Sequence, residues 1–357
     1  PADPGAARPA PETAERGPAG PGGRRPGGRE FGSWGAVGRL DETHPWAGFA
    51  VRRAGRLVVS LLVLVTASFA MIHLVPGDPV RAALGPTADP QLVADRRHAL
   101  GLDRPLLEQY WNFLSGLAHL RLGDSISTDL PVAQVITSRL PATLEIAVPA
   151  FALILAIAVP VGMAAAVLTR EGRRRGTELG FAAVTGLLGA VPEFLLAVGL
   201  VAVFAVAVPV LPVASRGGAA SYVLPIVSLA AVPAAALARI VRVEALRVLG
   251  EDYMRTARAK RLPARLRYLR HALPNLLTAS LTLGGLLFTS LITGTVLVEN
   301  VFAWPGLGTT IVQAITQKDY PLVQGVVLVY GTAALLITFA VDVAVALADP
   351  RSTIRGS

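Results

Sequence analysis

Long stretches without a charged side chain divide this chain, and their lengths set its architecture. Leu57–Val75, Ile146–Thr169, Tyr222–Ala238, Ala272–Val298 and Pro321–Val341 are free of Lys, Arg, Asp and Glu, and Leu179–Ser215 is broken only by Glu193. A helix needs about 20 apolar residues to cross a hydrocarbon layer roughly 30 Å thick. The pattern predicts an all-α membrane protein with six transmembrane helices, near residues 51–75, 143–169, 180–208, 222–249, 272–298 and 321–347. Gly and Pro recur inside these runs (Pro149, Pro160, Gly162, Pro192, Pro233, Gly294). Small residues let backbones approach closely in lipid, and prolines bend helices where neighbours re-satisfy the freed carbonyls.

Between the spans the polarity changes character. Residues 76–140 are too many for a simple connection. Within them Leu106, Leu107, Tyr110, Phe113, Leu114 and Leu117 recur at helical spacing after Pro105, which predicts an amphipathic helix lying on the bundle. No small-residue cleavage pattern follows span one, so it reads as a retained anchor. The first 50 residues, rich in Pro, Gly and Arg, read as a disordered extension. Residues 348–357 form a short C-terminal tail.

Charge adds orientation. The net charge of +9 invites a nucleic-acid reading, but its distribution argues against one. Basic residues gather in the segment up to Arg56, at Arg170 and Arg173–Arg175, and in residues 251–275. The connections after spans three and five hold only Arg216 and Lys318. Such alternation is the positive-inside pattern, and it predicts both termini in the cytoplasm and residues 76–140 outside. The chain has no cysteine, so no disulfide is expected in the outward segment. There is no His-Glu-x-x-His, Gly-x-Ser-x-Gly or phosphate-binding Gly-x-x-x-x-Gly-Lys-Ser/Thr sequence, so no catalytic residue, metal or cofactor is expected on this chain.

Within the spans, Glu193 in "AVPEFLLA" is the costliest group. It suits either a pathway or gate position or a structural pair. Thr289 and Thr293, on the most hydroxylated span, suit a wet pathway or helix-to-helix hydrogen bonds. Asp342 suits contact with interfacial water or with a basic loop residue, a structural rather than a transport role.

"EDYMRTARAKRLPARLRYLRHALPN" (251–275) is too basic to enter the bilayer, yet it is patterned. Glu251 and Asp252 stand where a helix dipole favours acids, Lys260 and Arg261 where it favours bases, and Pro263 stops the helix. Tyr253, Met254, Ala257 and Ala259 offer short or flat surface beside Arg255, Thr256 and Arg258. This fits a helical positive-inside loop or a docking element for a cytoplasmic partner. It resembles the cytoplasmic EAA loop of ABC-importer permeases, Glu-Ala-Ala, three residues, Gly, nine residues, Ile, one residue, Leu-Pro. Arg255-Thr256-Ala257 stands at the Glu-Ala-Ala, Arg261 at the Gly, His271 at the Ile and Leu273-Pro274 at the Leu-Pro. Arg261 departs from the pattern, and an αR turn there, with Pro263 two residues on, is the expected substitute for the glycine bend. "HLVPGDPV" (73–80), "LGLDRPLLEQYWNFL" (100–114), "LPATLEIA" (140–147), "VENVFAWPGLG" (298–308), "DYPLVQG" (319–325) and "ADPR" (348–351) are similar to the B-type permease of the dipeptide/oligopeptide/nickel branch.

The resemblance implies the type I importer fold, with a permease domain over 141–347 and a coupling loop over 250–274. It also implies a bacterial plasma-membrane complex. A homologous second permease, two ATPases carrying ATP and Mg, and an extracytoplasmic binding protein would be the partners, with membrane lipid around them and no nucleic acid. Glu251 to Arg261, with Pro263, would seat in an ATPase groove, and short peptides would be the cargo. Nickel chelates, glutathione or glycosides are the alternatives within the class. A stand-alone secondary transporter or channel is the alternative outside it.

Overall fold

The protein is described by a computed structural model covering residues 45–348, apart from 75–77, 86, 100, 173 and 214–216. Of the 50 residues read as a disordered extension, 1–44 fall outside it, as does the tail after 348, while residues 45–50 are instead helical and open the first helix. The chain divides into Pro1–Gly48, of which 45–48 are described as helix, and Phe49–Ser357, which holds the helical bundle.

Among the described residues every regular element is helical. The helices are α1 (Pro45–Leu74), α2 (Pro79–Leu84), α3 (Pro90–Ala99), α4 (Leu106–Ala118), α5 (Val132–Thr169), α6 (Arg175–Ala190) and α7 (Glu193–Val201). They continue as α8 (Val223–Gly250), α9 (Asp252–Ala259), α10 (Leu273–Val301), α11 (Leu307–Thr316) and α12 (Tyr320–Ala348). Four of them, α1, α5, α8 and α12, are long and apolar enough to cross a membrane. The bent pair α6–α7 makes a fifth if it counts as one crossing. α10 runs for 29 residues, or about 44 Å at 1.5 Å per residue.

The third predicted span differs from its expectation. It is not one helix over 180–208 but two, bent by 95°. The cause is local. Pro192 disfavours helical geometry in the residue before it, and Val191 is extended at φ −85°, ψ 123°. The second piece then loosens into a π-helical turn at Ala202–Ala207. Pro149, Pro160 and Pro233, by contrast, sit inside unbroken helices.

The core lies where α5 meets α8. α5 buries Ile146, Ala150, Ile154, Ala158, Gly162 and Ala166 at four-residue steps. α8 answers with Ala230, Ala234, Ala238, Val241 and Ala245. Small residues on both faces allow backbone approach. A Cβ on Gly162 would lie 2.6 Å from the Ala238 carbonyl oxygen and 2.7 Å from Val241 Cβ. Val58, Val59, Leu62 and Val63 on α1 are exposed, as suits a lipid-facing helix.

Two polar clasps join distant parts of the chain. Arg53 of α1 pairs with Asp342 of α12, a structural pairing as expected, though with a helical arginine rather than a loop residue. Arg242 of α8 bonds Glu178 of α6 at 2.7 Å and Thr169 of α5 at 3.0 Å.

Candidate functional site

α9 stands between the ends of α8 and α10, where Lys and Arg are densest. Asp252 lies in its first turn and Arg258 in its last, as the dipole favours. Its inner face is fixed. Met254 is 1% exposed and joins Val248, Leu249, Ala272 and Leu276 in the main core. Ala257 is also buried. This corrects the sequence reading: Met254 and Ala257 face this chain's own bundle and offer no surface. The outward face consists of Asp252, Tyr253, Arg255, Thr256, Ala259 and Lys260, with Arg258 half-buried. Glu251 precedes the helix with extended backbone and makes no side-chain cap. Asn275 of α10 donates to the Tyr253 hydroxyl at 3.1 Å. The Asp252–Arg255 pair, 3.3 Å apart, is fully surface-exposed and so constrains neither partner much.

The expected αR turn at Arg261 is also corrected. Arg261 has φ +51°, the left-handed conformation that glycine adopts without strain. Its N–H bonds the Arg258 carbonyl at 2.9 Å, and the Leu262 N–H bonds the Ala257 carbonyl at 3.3 Å. These two bonds close the helix with the usual left-handed cap. The glycine geometry is therefore kept with an arginine in it, at a cost of about 1–2 kcal/mol. Pro263, exposed and extended, then forbids continuation of the helix.

Of the candidates in the apolar runs, Glu193 stands at the α6–α7 elbow, while Thr289 and Thr293 lie on α10. Glu193 opens α7, so it stands at a break rather than within a continuous span. Its carboxylate abuts α10: a Cβ on Gly294 would lie 2.8 Å from Oε2, and Oε1 is buried with no hydrogen-bond partner. Thr293, the residue before Gly294, is exposed. Thr289, one turn earlier, is half-buried and bonds the Gly285 carbonyl at 3.1 Å. On the other side of the elbow, a Cβ on Gly189 would lie 3.2 Å from the Arg239 guanidinium. Arg239 is exposed and was not singled out from sequence, where it reads as the start of a basic helix end.

Two buried acids escaped the sequence reading. Glu299 has no exposure. Its Oε2 accepts the N–H groups of Gly308 at 2.6 Å and Thr309 at 3.2 Å. The carboxylate thus caps the start of α11. Trp304, between the two, donates its indole N–H to the Ala142 carbonyl of α5 at 2.8 Å, and the Leu307 N–H donates to Thr143 Oγ1 at 2.8 Å. Asp319 is equally buried. It accepts the hydroxyls of Ser125 and Ser127 and the N–H groups of Ile126 and Ser127, both at 3.1 Å. It thereby ties residues 125–127 to the start of α12. Burial pushes the Asp319 carboxyl up, but these four donors outweigh it and hold it below the ordinary aspartate value. The only sequence hint for either acid was its place in "VENVFAWPGLG" and "DYPLVQG".

The described residues contain no cluster of His, Asp and Glu able to hold a metal.

Comparison with known proteins defines the class. Residues 158–354 match the family described as binding-protein-dependent transport system inner membrane component. Residues 47–147 match the family of the N-terminal part of such membrane components. The chain belongs to this family: it is a multi-pass permease subunit of an ABC importer, with ATP hydrolysis carried by separate subunits. Among its relatives is the glutathione transport system permease protein GsiC of Salmonella typhimurium, 37% identical over 85% of this chain and 97% of that protein. The GsiC of Escherichia coli K12 is 36% identical over the same shares. A solved structure of the MetNI methionine ABC transporter in an inward-facing conformation aligns with 60% of this chain and 96% of its own, at 22% identity and a TM-score of 0.49.

Proposed function

We propose that this chain forms one half of the membrane pathway of an importer for short peptides. A homologous second permease supplies the other half. Two ATPases bearing ATP and Mg sit beneath it, and an extracytoplasmic binding protein delivers the cargo. The reading places six crossings in the membrane, both termini in the cytoplasm and residues 76–140 outside, as the positive-inside pattern indicates. The observation that carries the cargo is the likeness to glutathione permeases over nearly their whole length, because glutathione is itself a three-residue peptide. That likeness also favours a second reading, in which glutathione rather than α-linked peptides is the preferred substrate.

In this proposal α9 is the coupling element. Its outer face, from Asp252 to Arg261, enters an ATPase groove, while Met254 and Ala257 transmit the displacement to α8 and α10. Glu193, Thr289 and Thr293 flank the pathway at the elbow, with Arg239 beside them. The test is uptake of a labelled tripeptide by the complete system in liposomes. Ala259→Trp adds bulk on the exposed face only, so it is expected to abolish ATP-driven uptake while the subunit still inserts and melts normally. Undiminished uptake by that variant removes α9 from the coupling role, and ion-driven uptake by this chain alone replaces the importer reading.

A further inference from the structure

The α4 helix sits on α1 in a register that fixes which of its sides points along the membrane span. Thr66 Oγ1 of α1 lies 2.8 Å from the Tyr110 hydroxyl, and His73 Nε2 lies 3.1 Å from Gln109 Oε1. Phe69, between them, packs against Tyr110 and Phe113, with ring centroids 5.2 and 5.8 Å apart. Gln109 and Tyr110 are neighbours on α4, yet their partners stand seven positions apart on α1, or about 10 Å along its axis. One residue advances a helix by only about 1.5 Å but turns it by about 100°. The separation therefore comes from the roll of α4 as it crosses α1 near Phe69. Its Tyr110 side faces the middle of α1, and its Gln109 side faces the Leu74 end.

That roll sorts the remaining residues of α4 into two stripes. Leu107, Trp111 and Leu114 recur at helical spacing and lie nearer Tyr110 than Gln109 around the helix. Leu107 is 80% and Trp111 70% exposed. Glu108, Asn112 and Ser115 follow one position later, nearer Gln109, and all three are exposed. The apolar stripe thus points toward the middle of α1 and the polar stripe toward its end. The surface that the apolar stripe extends is itself apolar and open. Leu62 shares the face of α1 that carries Thr66, Phe69 and His73, and Leu62 and Val59 are 52% and 60% exposed. Phe69 lies five positions, about 8 Å, before Leu74, where α1 ends. Helices lying in a bilayer interface sink their apolar face roughly 5–10 Å below it, and Trp is enriched at that level.

We propose that α4 is an interfacial helix whose Leu107–Trp111–Leu114 stripe is covered by lipid acyl chains, with Glu108, Asn112 and Ser115 at the headgroup and water side. Lipid is the occupant because the stripe continues the lipid-facing surface of α1 and is flanked by a polar stripe in the register that an interface demands. A protein partner needs neither feature. Residues 106–118 are thereby held to the membrane itself, while residues 125–127 are held to α12 through Asp319. The inference goes beyond the import reading and is indifferent to cargo; on the topology proposed above, the leaflet concerned is the outer one.

The chain has no cysteine, so a single introduced cysteine carries a nitroxide label at one chosen place. Leu107→Cys, Trp111→Cys, Glu108→Cys and Asn112→Cys are each made in the full chain and assembled with cysteine-free partner permease and ATPases in phospholipid nanodiscs. Power saturation compares collisions of the label with oxygen, which concentrates in hydrocarbon, and with chromium oxalate, which stays in water. Val63→Cys, on the exposed face of α1, is the lipid reference. Labels at 107 and 111 are expected to favour oxygen, as at 63, and those at 108 and 112 to reverse the ratio. Each stripe carries two labels at exposed positions, so one variant that fails to assemble leaves the comparison intact. A preference for chromium oxalate at all four positions overturns the proposal. So does exclusion of both reagents at 107 and 111, which would put protein on the stripe. If those two labels favour chromium oxalate until the binding protein is added and then lose both reagents, the stripe docks that protein and the lipid assignment falls. No transport is measured, so failure here leaves the import reading standing.

Discussion

Replacing Glu299 by leucine tests whether a buried carboxylate, rather than apolar packing alone, holds α11 between α10 and α12. The carboxylate oxygen Oε2 receives the N–H groups of Gly308 and Thr309, which belong to the first turn of α11 and have no intrahelical acceptor. Leucine leaves both N–H groups unpaired in a site closed to water, at about 1–3 kcal/mol each, so about 2–6 kcal/mol together. Glutamine keeps a carbonyl oxygen for the same donors but gives up the charge, and its cost is about 1–2 kcal/mol, the difference between charged and neutral acceptors. The space cannot be closed by relaxation from the α11 side. Gly306 and Gly308 already press against Glu299, with virtual Cβ contacts of 2.4 and 2.8 Å. The assay is thermal unfolding of the purified subunit in detergent, followed by circular dichroism. The expected order of stability is wild type, Glu299→Gln, then Glu299→Leu by a clear margin. A leucine variant as stable as the glutamine variant would refute the capping argument and leave Glu299 as mere filling.

Gly162→Ala is expected to destabilise the subunit by about 1–3 kcal/mol, the usual range for overpacking, because its Cβ meets backbone at 2.6 Å; the same melting assay reads it, with Gly55→Ala, which meets nothing within 4 Å, as the control. Arg53→Asp is expected to lower the melting temperature by the equivalent of about 1–2 kcal/mol, a modest value since both partners of the Arg53–Asp342 pair are about a quarter exposed. The exchanged pair Arg53→Asp with Asp342→Arg should recover most of the loss, and no recovery would mean that the two residues act separately. Asp319 predicts a pH dependence: its carboxyl is held below the ordinary value, so its stabilisation is present above the unfolded-state pKa and is lost as pH falls through the folded one. Protease cleavage within residues 121–131 should therefore rise on acidification in the wild type and be high and less pH-dependent in Asp319→Asn.

How much of this was legible beforehand depends on what each signal can carry. The long apolar runs became helices because length and hydropathy suffice to require them in lipid. The break in span three did not announce itself. Val191-Pro192 looks like the other X-Pro pairs of the spans, yet Pro149, Pro160 and Pro233 lie within continuous helices. Whether a proline bends or breaks a helix is decided by what neighbours re-satisfy its freed carbonyls, and a single span does not contain that information. The α9 helix was readable from its charged ends and its terminal proline, but not its rotation. Met254, Ala257 and Ala259 are all plausible on either face, and only the packing of Met254 among Val248, Leu249 and Leu276 turns Ala257 inward and Ala259 outward. Glu193 drew notice because it interrupts an apolar run. Glu299 did not, because it lies just past the end of one, where an acid normally meets water. Its partners are backbone N–H groups nine and ten residues further on, and no residue type marks those.

The same contacts determine where this bundle can yield. In the proposed coupling role, a displacement applied to the exposed face of α9 would pass through Met254 and Ala257 into α8, and from α8 into α5 across an interface so close that a single methyl group does not fit at Gly162. Interfaces packed this tightly do not deform continuously; they move as one body or change in discrete steps. Arg261 adds to the stiffness at the end of α9, since its left-handed backbone is closed by two cap hydrogen bonds. Compliance must then lie elsewhere, and the α6–α7 elbow has what the α5–α8 pair lacks. It has an extended residue between two helices, a loosened turn at Ala202–Ala207, and an acid with a buried oxygen that has no hydrogen-bond partner. The elbow touches α10 through Glu193 and Gly294 and approaches α8 through Gly189 and Arg239. A rigid-body movement of α8 relative to α10 therefore changes the surroundings of both charges at once. Under the proposed coupling role, that is the physical reason to look for a gate at the elbow and not at the tightly packed α5–α8 pair.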